Sequence, residues 1–168
     1  GGISPFRGEK NTNWEGGYRV PALVRWPGKI PASKISNEIM SMQDWVPTLM
    51  AAVGEPDIKD KLKKGHKANG KKFKVHLDGY NLLPHLTGKE KESPRKEFFY
   101  FSDDGLLVAV RHKQWKLVFA EQRAKTFRVW SEPFVQLRIP KPFNLRSDPF
   151  ERADTDSNNY DRWWIERS

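Results

Sequence analysis

Three short β-prone runs, Glu97 to Phe101, Leu106 to Arg111 and Trp115 to Ala120, follow one another with only a few residues between them. Strands this close in sequence pair antiparallel, because a parallel return needs a crossover of a dozen residues or more. The first connection, Ser102-Asp103-Asp104-Gly105, carries an Asp-Gly pair, a strong hairpin signal. The second, His112-Lys113-Gln114, has hairpin length. The pattern predicts an antiparallel meander, with Phe143 to Arg146 as a candidate fourth strand. Trp115 alternates with polar neighbours and is expected to anchor the core.

The residues before this meander carry a different pattern. Tyr18 to Trp26 is a short apolar run bounded by Gly17 and Pro27-Gly28. It fits a strand buried on both faces of a parallel sheet covered by helices. Pro21 removes a donor inside it, which places a bulge or strand start there. Trp45 to Val53 has helical spacing of apolar residues, with Asp44 as N-cap, Pro47 in the first turn and Gly54 closing the helix left-handed. A capping box from Ser41 to Asp44 is the alternative start, and it would set Pro47 deeper. Asp78 to Gly88 reads as a short helical turn ended by Gly88. Beyond the meander, Asp148-Pro149-Phe150-Glu151 resembles a helix start, and Tyr160 to Glu166 a terminal helix. The change of pattern places a boundary near residues 88 to 96. The expected division is 1–90, elements of an α/β domain, and 91–168, a subdomain with a four-stranded antiparallel sheet and a terminal helix.

Composition narrows the function classes. Hydrophobic residues make up 37% of the 168 positions and aromatics 12%, enough for a packed core. The net charge of +9 raises a nucleic-acid or polyanion reading. Much of the excess, however, sits in KDKLKKGHKANGKKFK, Lys59 to Lys74, a pattern expected of a solvated loop. With no cysteine there is no disulfide, thiolate nucleophile or Cys-based zinc site. His66, His76, His85 and His112 show no metal-pair spacing, and phosphate-binding glycine loops and the Gly-x-Ser-x-Gly elbow are absent. No run is long enough to span a bilayer. The opening Gly1-Gly2-Ile3-Ser4-Pro5 without a starting Met reads as a piece of something longer.

What remains is Lys10-Asn11-Thr12-Asn13-Trp14-Glu15-Gly16-Gly17-Tyr18-Arg19-Val20-Pro21. It offers a lysine on a loop followed by two glycines that permit a tight turn or a close backbone approach. A lysine so placed is a compact point charge suited to an anionic group.

These residues also carry a resemblance. Pro5-Phe6-Arg7-Gly8-Glu9-Lys10 through Glu15-Gly16-Gly17-Tyr18-Arg19-Val20-Pro21 to Trp26-Pro27-Gly28 resembles the second signature region of the type I, formylglycine-dependent sulfatases. Asp44 to Leu49, Asp78 to Pro84 and Phe143 to Glu151 resemble later stretches of that family, in family order. The resemblance is closest to bacterial arylsulfatases and to their C-terminal portion. It implies an α/β fold, the C-terminal part of an alkaline-phosphatase-like sulfatase fold with a small antiparallel sheet-plus-helix subdomain. It further implies hydrolysis of a small sulfate ester through a formylglycine nucleophile and a calcium ion, and it leans towards a periplasmic or extracellular setting.

Residue by residue, the resemblance carries over Lys10 alone, as the lysine that contacts the sulfate. The nucleophile motif, Cys or Ser followed by x-Pro/Ala-x-Arg, and the metal-binding aspartates are not in this sequence. They are expected from an N-terminal part of the same sulfatase, which makes that part the chain's partner. The chain alone is expected to bind no calcium and to be inactive. The competing expectations are a basic polyanion-binding module acting through Lys59 to Lys74, and a structural fragment without activity.

Overall fold

The computed structural model describes residues 4–167. In chain order its elements are α1 (Glu15–Tyr18), α2 (Trp45–Ala52), α3 (Ile58–Lys64), β1 (His66–Ala68), β2 (Lys71–Phe73) and α4 (Leu83–Leu86). They continue with β3 (Glu97–Phe101), β4 (Leu107–His112), β5 (Trp115–Glu121), β6 (Val135–Asn144), α5 (Ala153–Asp156) and α6 (Tyr160–Arg167). Two 3-10 segments, Met42–Asp44 and Thr126–Trp130, complete the set. The chain forms two compact units, residues 4–22 with 97–167, and residues 23–96. Sequence order alone would set residues 4–22 apart from the meander; in the fold they join it, held there by the buried contacts described below.

The first unit is built on the four-stranded sheet β3-β4-β5-β6, antiparallel throughout and paired in sequence order. The hairpin between β3 and β4 turns at Gly105, whose φ of 80° suits glycine. Tyr100 lies opposite Ala109, Ala109 opposite Val118, and Lys116 opposite Phe143. Together with Trp14, Val108, Ala120 and Leu145, the apolar members of these pairs form the core. Trp14 meets Phe143 edge-on, with ring centroids 5.8 Å apart. Tyr160 of α6 stacks on Phe143 at 5.7 Å and donates its hydroxyl to Pro142 O at 2.7 Å.

Three expectations are corrected in this unit. Trp115 is 43% exposed, and its neighbour Lys116 is the residue that turns inward, in step with Val118 and Ala120. The fourth strand begins at Val135, well before Phe143. Pro140 and Pro142 weaken the strand signal there, but β6 is the last strand of the sheet, where missing donors are tolerated. Asp148 to Glu151 does not open a helix. Asp148 instead accepts from the amides of Arg152 and Ala153, both at 2.9 Å, and Glu151 adopts a positive φ of 54°.

The second unit holds α2, α3, the β1-β2 hairpin and α4. Both proposed starts of α2 contribute. Ser41 N donates to Asp44 Oδ2 at 2.8 Å around the 3-10 segment, and Asp44 then leads into the helix. Gly54 follows with a φ of 97°. Asp44 is fully buried, accepting from Tyr80 N at 2.8 Å and from the Arg95 guanidinium at 2.8 and 2.6 Å. This doubly bonded charge pair ties the start of α2 to residues 78–95. Gly79 has no room for a Cβ, because Gln43 O occupies that place.

The lysine-rich stretch is ordered rather than looped. It forms α3 and a hairpin whose two-residue connection is Asn69 (φ 47°) and Gly70 (φ 75°), the left-handed pair that suits strand twist. Its side chains are mostly exposed, as a solvated face requires.

Residues 19–26 form no strand. A parallel strand needs neighbours to take its amides and carbonyls, and no described strand pairs with this run. Val20 is 75% and Leu23 98% exposed. Among the described residues, no helix is long and apolar enough to cross a membrane.

Candidate functional site

Lys10 lies on the loop that leads into α1, with its side chain exposed and its ammonium 5.6 Å from the centre of the Trp130 ring. Among the described residues it makes no ion pair. Its position is fixed by its neighbours. Arg7 donates to Glu151 O at 2.7 Å and to Asp154 Oδ1 at 2.6 Å, and lies over Trp14. Asn11 holds Val129 O at 2.6 Å from a left-handed backbone (φ 64°), and Thr12 Oγ1 bonds back to Glu9 O at 2.6 Å. Asn13, fully buried, accepts the amide of Gln122 at 3.0 Å.

The glycine pair has the role its chemistry permits. Gly16 N donates to Arg7 O at 2.7 Å, and a Cβ on Gly16 would run into the carbonyls of Phe6, Arg7 and Gly8. A Cβ on Gly17 would meet Glu9 O at 2.6 Å. The Lys10 loop thus lies directly on the backbone of α1, a packing open only to glycine.

Beneath that turn is a group of buried charges that sequence reasoning did not single out. The Lys116 side chain is wholly buried, with Nζ 2.7 Å from Glu151 Oε1, 3.2 Å from Glu15 Oε1 and 2.7 Å from Asn13 O. It also lies 4.1 Å from the centre of the Tyr100 ring. The Tyr100 hydroxyl donates to Glu15 Oε1 at 2.5 Å, Arg111 approaches Glu15 Oε2 at 3.2 Å, and Glu15 N donates to Glu151 Oε2 at 2.7 Å.

The two carboxyls titrate in opposite directions. Burial pushes Glu15 up, but the Lys116 charge, the Tyr100 hydroxyl and Arg111 outweigh it and hold the group below its ordinary value of 4.5. For Glu151 burial prevails over Lys116, and the group is raised. Burial and the Glu15 charge push the Tyr100 hydroxyl well up, so it stays a donor. Buried charges persist only when paired and hydrogen-bonded, and this group meets that condition around one ammonium. It fixes both the start of α1 and Asn13, and through them the Lys10 loop. The signal in the sequence was slight: on β5 the rows Trp115-Leu117-Phe119 and Lys116-Val118-Ala120 are both largely apolar, so parity alone does not reveal a lysine facing inward.

Comparison with known proteins gives this arrangement a context. The family model described as Sulfatase matches residues 2–55, which include Lys10 and the Glu15-Gly16-Gly17 turn. Human arylsulfatase G is 30% identical over 165 residues, 90% of this chain. The chain belongs to the sulfatase family.

An arylsulfatase of Hemicentrotus pulcherrimus is 36% identical over 127 residues, 75% of the chain. The chain spans 29% of the length of the human relative and 20% of the second. Among solved structures, the sulfatase PsFucS1 from Pseudoalteromonas sp. superposes with a TM-score of 0.75 at 26% identity. That match covers 99% of this chain and 31% of the other. The α/β sulfatase architecture with its small antiparallel sheet is therefore the fold of this chain, as the resemblance implied.

Among the described residues no three His, Cys, Asp or Glu side chains gather as a metal site, and the chain has no cysteine. These residues do not fit the calcium ion that the family implies, and no Ser of the chain is followed by the x-Pro/Ala-x-Arg of the formylglycine precursor.

Proposed function

We propose that this chain is part of a sulfate-ester hydrolase of arylsulfatase type, in which Lys10 faces the sulfate group. The observation that carries the reading is an exposed ammonium that has no carboxylate partner among the described residues, held on a loop clamped by Arg7, Asn11, Thr12 and Asn13. A charge fixed before the substrate arrives stabilises the negative charge that builds on sulfuryl and leaving-group oxygens, with no reorganisation at the moment of reaction. The family match over residues 2–55 and the arylsulfatase relatives support the same chemistry. The nucleophile and the calcium ion belong, in this reading, to sequence outside these 168 residues. The substrate is a small sulfate ester, and the partner of this chain is the part of the sulfatase that carries those groups.

Lys10→Ala in the complete protein tests the role. Loss of one preorganised donor costs about 3 kcal/mol in the barrier, so turnover of an aryl sulfate is expected to fall by roughly two orders of magnitude. Because Lys10 is exposed, the melting temperature should stay close to that of the parent. A variant with near-normal turnover would remove Lys10 from the site.

A further inference from the structure

We propose that α3 and the β1-β2 hairpin form a docking surface for an anionic phospholipid membrane, with lysines on the headgroups and Phe73 at the edge of the acyl layer. The surface holds no residue assigned to the sulfate-ester site, so the two readings stand or fall separately. Residues 59–74 hold eight of the chain's 18 lysines and none of its 12 arginines. Two of the eight are engaged within the fold. Lys59 donates to Gly79 O at 2.6 Å and lies over Tyr80, and Lys61 pairs with Glu55 and Asp57. The other six, Lys63, Lys64, Lys67, Lys71, Lys72 and Lys74, are exposed and, among the described residues, take part in no ion pair.

The fold presses these charges together. Lys67 stands directly opposite Lys72 in the ladder, on one face of the ribbon, an arrangement that costs stability unless anions screen it. Gly65, at the end of α3, leaves room for the Lys72 side chain, whose Nζ lies 3.4 Å from where a Cβ would stand. That brings Lys72 to the last turn of α3, which carries Lys61, Lys63 and Lys64. The surface is preformed. Asn69 and Gly70 close the hairpin, and Val75 N donates to Leu62 O at 3.2 Å, fastening it to α3.

Two features favour a membrane over a dissolved polyanion. Discrete sulfate or phosphate groups are best gripped by the arginine fork, whereas lysines are point charges suited to a diffuse anionic field. Phe73 stands between Lys72 and Lys74, Val75 follows them, and the two are 43% and 45% exposed. A hydrated polyanion offers such side chains no apolar partner. At a bilayer they enter the boundary between headgroups and acyl chains, while the lysine stems lie along the apolar layer and keep their ammonium groups at the phosphates.

The test is co-sedimentation of the complete protein with vesicles of phosphatidylcholine alone and of equal parts phosphatidylcholine and phosphatidylglycerol. Binding to the anionic vesicles is expected to be at least tenfold tighter and to weaken as salt rises. Lys67→Gln/Lys71→Gln/Lys72→Gln should reduce it at least tenfold, with a melting temperature equal to or above the parent's because the opposed charges are gone. Phe73→Ser should weaken it severalfold while leaving the affinity for dissolved dextran sulfate unchanged. Phe73→Trp, which keeps the bulk and suits the interface, should hold or tighten vesicle binding. No binding to the anionic vesicles, or equal binding to both kinds, overturns the membrane surface, as does a triple variant that binds like the parent. If Phe73→Ser melts like the parent and binds vesicles like it, or loses dextran sulfate to the same degree, the lysines form a general polyanion patch and the assignment is overturned. If Phe73→Ser melts lower than the parent, Phe73→Trp decides, and vesicle binding weaker than the parent's overturns the assignment.

Discussion

Lys116 and Lys10 show how little residue type alone determines. One is sealed between two glutamates beneath α1, the other points to solvent on the loop above it. Lys10 stands out in the sequence because its surroundings, Glu15-Gly16-Gly17 in particular, form a recognisable pattern. Lys116 does not, since its burial depends on strand parity and on carboxylates 101 and 35 positions away in sequence, from 116 − 15 and 151 − 116. Lys116→Met would leave Glu15 and Glu151 buried without their cation, and a loss of about 3–5 kcal/mol in urea denaturation is expected. The pH response follows from Glu15. Folding lowers its affinity for a proton, so its stabilising contribution is complete above 4.5 and is lost as pH falls through the lowered folded value. Glu151, raised, contributes in the opposite sense, favouring the fold at low pH and losing that as pH rises. Melting temperatures measured downward from pH 4.5 should therefore fall more steeply in the parent than in Glu15→Gln. Parallel curves would contradict the role given to Glu15.

At the scale of elements, local chemistry read well wherever partners lie nearby in sequence. The Asp-Gly hairpin, the helix after Asp44 and the turn ended by Gly88 all form near their expected limits. Reading failed where a partner is remote or a turn signal was overlooked. Asn69-Gly70 is, like Asp104-Gly105, an Asx-Gly turn signal, yet the lysines around it suggested a loop. Residues 19–26 have strand composition but, among the described residues, no strand beside them, and composition cannot supply one. The α1 turn offers a sharp test. Gly16→Ala drives a methyl group into three backbone carbonyls, a clash that no side-chain rotation relieves. A loss of about 1–3 kcal/mol is expected, with faster amide exchange from Arg7 to Gly17 while β3 to β5 stay protected. Unchanged exchange in that loop would show that the close approach is dispensable.

Over the whole molecule, most of the charge of +9 comes from the solvated stretch Lys59 to Lys74, with eight lysines against Asp60, which forms α3 and the β1-β2 hairpin. Each compact unit also encloses its own ion pair, Asp44 with Arg95 in one and Lys116 with its two glutamates in the other. Arg95→Met should raise amide exchange at Tyr80 and Leu82, where the segment is sewn to Asp44 and Thr48. Exchange there at the parent rate would rule out Arg95 as the tie. The chain leaves the sheet-bearing unit after residue 22 and rejoins it only at residue 97. The bond from Glu15 N to Glu151 joins residues 136 positions apart, and that from Arg7 to Asp154 joins residues 147 apart. At about 5–20 residues per second, a ribosome needs on the order of ten seconds to deliver the second partner after the first. Throughout that interval the loop bearing Lys10 must wait, synthesised well before the residues that seat it.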